Sequence, residues 1–259
     1  MGHEAAATAT HIDRPLSPPQ QGPWGFWATS GFSALAIVLF SVSRSLVSGP
    51  FRRSIKAENP GIDAQDLAGL LVQDGSYVSI STILGGAFGL ALILLFAWLR
   101  RGVALRDYLA LVRPEPGSLR TWLIVGASFI AASEGFKLLL GRGLVPDFAL
   151  NVYASVRWPL LLWIAVVIVA PLFEELLFRG FLFAGWSRSR LGPMGTIVLT
   201  SLLWSAAHGQ YELDFIFLIF AFGLVAGLAR HHTGSLVVPI ILHAAVNLVA
   251  TIETIIISS

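Results

Sequence analysis

Three short stretches in the C-terminal half of this chain carry residue types that can activate water. Glu174 and Glu175 lie in Phe-Glu-Glu-Leu-Leu-Phe-Arg-Gly, residues 173–180, with Arg179 four positions beyond Glu175. His208 closes Trp204-Ser-Ala-Ala-His208, and His243 and Asn247 frame His-Ala-Ala-Val-Asn. The surrounding sequence is apolar enough to read as membrane-spanning, where ionisable side chains are costly and mark function by default. A carboxylate in such a place can act as general base toward water, an imidazole can help hold that water, and imidazole and amide N–H groups can stabilise a developing oxyanion. The chain has no cysteine, so thiolate nucleophiles, disulfides and Cys-ligated metals are excluded and any catalysis uses oxygen and nitrogen groups.

The spacing is consistent with one site. A long helix from about Trp158 to Arg188, turned at Gly192-Pro193 and returning, puts Glu174 about 17 residues before the turn and His208 about 16 after it. At about 1.5 Å per residue the two sit at nearly equal depth, and antiparallel neighbours on a short loop pack together. His243 and Asn247, four apart, share one face of the last helix.

The elements that must position these groups are membrane helices. Of 259 residues 55% are hydrophobic and 12% charged, with mean hydropathy +0.75, far from the roughly 25% charged of a soluble domain. The expected fold is all-α, a polytopic transmembrane helical bundle of about seven spans, eight if a re-entrant or interfacial segment is added. The spans fall near 25–47, 77–99, 120–140, 158–182, 194–209, 215–230 and 236–256, the fifth and sixth being short. Residues 1–24, rich in Ala, Thr, Pro and Gln, read as a disordered tail. Residues 25–145 read as N-terminal transmembrane helices and 146–259 as the catalytic core. The first apolar run is longer than a signal-peptide core and should stay as an anchor.

Arginines in the connections at 100–120 and at 188–190, against Glu212 and Asp214 in the next, place the N-terminus in the cytoplasm. Arg52, Arg53 and Lys56 disagree, and an interfacial or re-entrant segment within 48–76 would reconcile them. A net charge of +2, with no basic patch, argues against a nucleic-acid footprint, and no nucleic-acid partner is implied. The lipid bilayer is the partner that composition implies; oligomeric state is not legible.

Each polar group also has a structural reading. Glu175 and Arg179 form an i,i+4 pair that can be purely structural, as can Glu134 and Lys137 at i,i+3. A single histidine in a span can be an interhelical hydrogen bond. Glu174, which has no such partner on its own helix, makes the set hard to explain by packing alone. Gly85 and Gly89 form a small-xxx-small step suited to close helix approach.

Taken in order, Glu174-Glu175-Leu-Leu-Phe-Arg179, Trp204 to His208 and His243 to Asn247 resemble the Glu-Glu-x-x-x-Arg, Phe-x-x-x-His and His-x-x-x-Asn motifs of the CPBP family. This is the CAAX protease and bacteriocin-processing (Abi) family of intramembrane proteases, which includes the Rce1-type CAAX prenyl endopeptidases. The resemblance covers about residues 158–250, with Trp204 standing where Phe is usual. It implies an integral, multi-pass protein of a bacterial-type plasma membrane. The implied activity is hydrolysis of a peptide bond in a membrane-anchored protein or peptide, including the prenylated CAAX class. On this resemblance Glu174 and His208 activate water, His243 and Asn247 form the oxyanion hole, and Glu175, Arg179 and Trp204 support them. Zinc is an alternative, with Glu174, His208 and His243 as ligands around an open position; a metal-free mechanism uses the same residues and is preferred, since His-Glu-x-x-His is absent. A catalytically silent immunity or scaffold protein of the same fold is the rival reading. A transporter is disfavoured because the polar clusters occupy one half only.

Overall fold

A computed structural model describes residues 22–259, and every regular element among them is helical. The expected tail, residues 1–24, falls almost wholly outside the described residues; within it, Trp24 Nε1 donates to the Phe96 carbonyl at 2.8 Å. Along the chain come α1 (Phe26–Leu46), α2 (Ser48–Glu58), α3 (Ala64–Gln73), α4 (Gly75–Trp98), α5 (Leu105–Tyr108) and α6 (Pro116–Leu139). They are followed by α7 (Asp147–Ser155), α8 (Pro159–Trp186), α9 (Gly192–Ala206), α10 (Leu213–Thr233) and α11 (Val237–Ser258).

Among the described residues six helices, α1, α4, α6, α8, α10 and α11, are long and apolar enough to cross a bilayer. The fold is thus the expected polytopic helical bundle, with one span fewer by length. The expected fifth span is α9, whose 15 residues reach only about 22 Å at 1.5 Å per residue. It ends where His208 intervenes. The His208 backbone N–H turns back to Ser205, and its ring Nδ1 takes the Trp204 carbonyl at 2.8 Å that the next helical N–H would have used.

The 48–76 connection is not open loop. It folds as α2 and α3, which pack Ile55, Leu67 and Leu71 against Tyr77 of α4 in a small separate core. Asp63 caps α3 through the Gln65 and Asp66 N–H groups, and Asp74 caps α4 through Tyr77. Neither α2 nor α3 has the length to span.

The bundle inverts the pattern of a soluble protein. Leu35, Val38, Ile124, Ile168, Leu202 and Ile256 lie exposed on its outer surface, whereas Thr29, Ser79, Thr196, Ser201, Glu175, Arg179 and His243 are buried. With lipid outside, polar side chains gain from partners in the interior, and small residues let helices approach. α4 and α8 run through the middle and touch most tightly at Gly89, where a Cβ would stand 2.4 Å from the Phe173 ring. That glycine lets α4 close on the residue preceding Glu174.

Candidate active site

The helix that carries the two carboxylates is wound unevenly. Residues Ala170–Glu175 make a short α-helical stretch between π-helical stretches at Ile164–Val169 and Leu176–Leu182. Such π segments concentrate at functional sites, and here Pro171 is part of the cause. In the first stretch the Ala170 N–H reaches the Ala165 carbonyl, so continuing the register would pair residue 171 with Val166. Pro171 has no N–H to give. Asn247 supplies the missing donor, its Nδ2 reaching the Val166 carbonyl at 2.7 Å.

Glu175 is the closed acid of the pair. Its side chain is fully buried and its Oε1 accepts from Arg179 Nη1 at 3.0 Å and faces His243 Nδ1 at 2.9 Å. Because a carboxylate only accepts, this contact puts the proton on Nδ1 and turns His243 Nε2 toward the neighbouring acid. Arg179, 1% exposed in its side chain, spends Nη2 on the Gly223 carbonyl at 3.1 Å and lies over the Trp204 ring with its carbon 4.8 Å from the centroid. The i,i+4 pair is therefore present, and it also orients a histidine from α11 and ties α8 to α10. Gly223 has no side chain to obstruct this: a Cβ there would meet Ser201 at 2.8 Å and Arg179 Nη2 at 3.2 Å.

Glu174 is the open acid, with 21% of its side chain accessible. Its Oε2 accepts from Trp204 Nε1 at 2.6 Å and stands 3.9 Å from His243 Nε2. From the sequence, Glu174 and His208 are expected at nearly equal depth. In the structure the hydrogen-bonded partner of Glu174 on α9 is Trp204, one turn earlier. The second π stretch, Leu176–Leu182, lies between Glu174 and the turn and shortens that path, a shift in this direction. His208 stays beside the site through Trp204, its ring edge-on to the indole at 5.2 Å.

The structure thus brings Glu174, Glu175, Arg179, Trp204 and His243 into one contiguous cluster, with His208 packed on Trp204 and Asn247 one turn beyond His243 on α11. Among the described residues no three His, Asp or Glu side chains are grouped to hold a metal ion, so the zinc set Glu174, His208 and His243 does not fit as it stands. Glu134 and Lys137 pair with each other at 2.7 Å, away from these residues.

Sequence reasoning missed several members. Val166 and Gly223 contribute only backbone carbonyls, which no residue type announces. Tyr211, three residues past His208, stacks nearly parallel to its ring at 6.1 Å and 15°. Burial pushes its hydroxyl up to about 12, with the charges of Glu174 and Glu212 adding to the shift against a hydrogen bond to Gln210. An aromatic just after the histidine motif was the available signal.

Comparison with known proteins places this cluster inside a recognised domain. A protein from Escherichia coli described as an uncharacterized 24.3 kDa protein is 36% identical over 146 residues, half of this chain. This chain spans about 64% of that relative's length. No solved structure matches. Residues 156–249 match the family described as type II CAAX prenyl endopeptidase Rce1-like, so over that part the chain carries an Rce1-like domain of the CAAX-protease type, embedded in a membrane bundle.

Proposed function

We propose that the protein is an intramembrane endopeptidase that cuts a membrane-anchored protein or peptide, with Glu174 as the base that activates water. The observation that carries this reading is the contrast between the adjacent acids. Glu175 is fully buried and committed to Arg179 and His243, whereas Glu174 remains partly accessible in the same cluster. A buried, paired carboxylate holds structure; a partly open one beside a buried imidazole can exchange a proton with a substrate.

Glu174 takes a proton from water as the water oxygen bonds to the scissile carbonyl carbon. The carbonyl oxygen becomes an oxyanion, which the second N–H of the Asn247 amide stabilises, joined by Nε2–H of His243 when that ring carries both protons, since its Nδ1–H is given to Glu175; such donors are worth about 3–4 kcal/mol each in known hydrolases. As the C–N bond breaks, Glu174 returns the proton to the leaving nitrogen. His208 flanks the water, and Arg179 keeps Glu175 in place. The lipidated CAAX class of substrate is proposed on the match over 156–249 alone.

Cleavage of a panel of membrane-anchored and prenylated peptides by purified wild type, Glu174→Ala and His208→Ala, with and without a zinc chelator, tests this. General-base loss should lower the rate about 10²–10⁴-fold and chelation should leave it unchanged. Equal cleavage by wild type and Glu174→Ala would refute the assignment. Loss in chelator with rescue by zinc would require rearrangement of the cluster around an ion.

A further inference from the structure

Trp204 touches four of the ionisable side chains in and around the cluster. Its Nε1 donates to Glu174 Oε2 at 2.6 Å, Arg179 lies over its ring, and the His208 and His243 rings stand edge-on to it at 5.2 and 5.1 Å. The indole is 3% exposed and backed by Phe222 at 6.0 Å. Its main-chain carbonyl also binds His208 Nδ1 at 2.8 Å. Since a carbonyl only accepts, that contact puts the His208 proton on Nδ1 and leaves Nε2 with a lone pair.

From this geometry we infer that Trp204 is a positioning residue: its indole N–H commits Oε2 of Glu174 and leaves Oε1 as the oxygen that takes the proton from water. The inference rests on the peptidase reading and goes beyond it by assigning the reacting atom. A glutamate carboxylate turns easily about its last torsion, where preferences are broad and two-fold. Left free, Glu174 could swing either oxygen toward His243 Nε2, 3.9 Å away. A short, charge-assisted N–H···O contact removes that freedom. Among the described residues Oε1 takes no hydrogen bond from the protein, and Glu174 keeps a fifth of its side chain accessible.

The proton balance is closed. The water O–H bond breaks to Oε1 while the O–C bond forms, and the same proton leaves Oε1 for the nitrogen as the C–N bond breaks. Trp204 keeps its N–H throughout. A phenylalanine here would fill the space and leave the carboxylate untethered, so the resemblance to a Phe-x-x-x-His motif hides a change in how the base is held.

The test separates the N–H from the ring. Trp204→Phe keeps an aromatic side chain and the main-chain contact to His208; Trp204→3-benzothienylalanine keeps the full indole shape with sulfur in place of N–H and serves if the phenylalanine variant does not fold. Steady-state cleavage of a farnesylated fluorogenic peptide would be compared for wild type, both variants, Glu174→Ala and the Glu174→Ala/Trp204→Phe double variant. The expected result is a kcat lowered about 10- to 100-fold in both Trp204 variants, with KM within about twofold. The double variant should be no slower than Glu174→Ala, as for groups acting as one unit. A wild-type kcat in the benzothienyl variant, or a raised KM with kcat unchanged, would overturn the inference and leave the peptidase reading standing. Wild-type activity in Glu174→Ala, or none in the wild type, would sink both.

Discussion

Asn247 donates its side-chain N–H to the Val166 carbonyl at 2.7 Å, the group that Pro171 leaves without a partner when α8 winds in π register. The amide therefore has a structural task as well as its proposed catalytic one. Asn247→Ala should cost about 1 kcal/mol, the low end of the penalty for stranding an acceptor, because the Val166 carbonyl contact is part-buried. Pro171→Ala restores a backbone N–H at the position facing that carbonyl, so the double variant should melt above Asn247→Ala in detergent. Additive losses would show that Asn247 does not compensate for the proline.

Arg179 depends on Glu175 more than on any exposed pair. Removing one partner of a buried pair leaves an uncompensated charge and costs about 3–5 kcal/mol, whereas removing both is far milder. Glu175→Ala should therefore fold poorly, and Glu175→Leu with Arg179→Leu should recover most of the lost thermal stability. Both should abolish cleavage, because His243 loses the acceptor on Nδ1. A double variant as unstable as the sum of the singles would contradict the pairing.

Two of the four tyrosines should titrate late. Burial pushes both Tyr108 and Tyr211 up to about 12 from the ordinary 10.0. A phenol that holds its proton more tightly when folded loses nothing below pH 10; stability then falls as pH rises from about 10 toward 12, where the unfolded chain ionises first. Phenolate absorbance should show two late groups, and Tyr211→Phe should remove one and flatten part of the alkaline loss of stability. Ionisation of Tyr108 and Tyr211 near 10 would show that these two hydroxyls reach water.

Local periodicity made part of this protein legible from residues alone. Apolar runs of span length gave the helical bundle, the i,i+4 separation of Glu175 and Arg179 predicted a pair that is present at 3.0 Å, and His243 with Asn247 fell on one face of α11. These relationships repeat within a turn or two of one helix and need no knowledge of neighbours. Tertiary structure decided the rest. The contacts of His243 with Glu175 and of Trp204 with Glu174 join residues 68 and 30 positions apart. They depend on how far each helix is rotated and advanced, and the π stretches on either side of Glu174 change both quantities without changing composition or hydropathy. On α9 it is Trp204, one turn before His208, that hydrogen-bonds Glu174. The exact end of α9 was likewise settled in the structure, where the His208 ring takes the Trp204 carbonyl just ahead of Gly209 and Gln210.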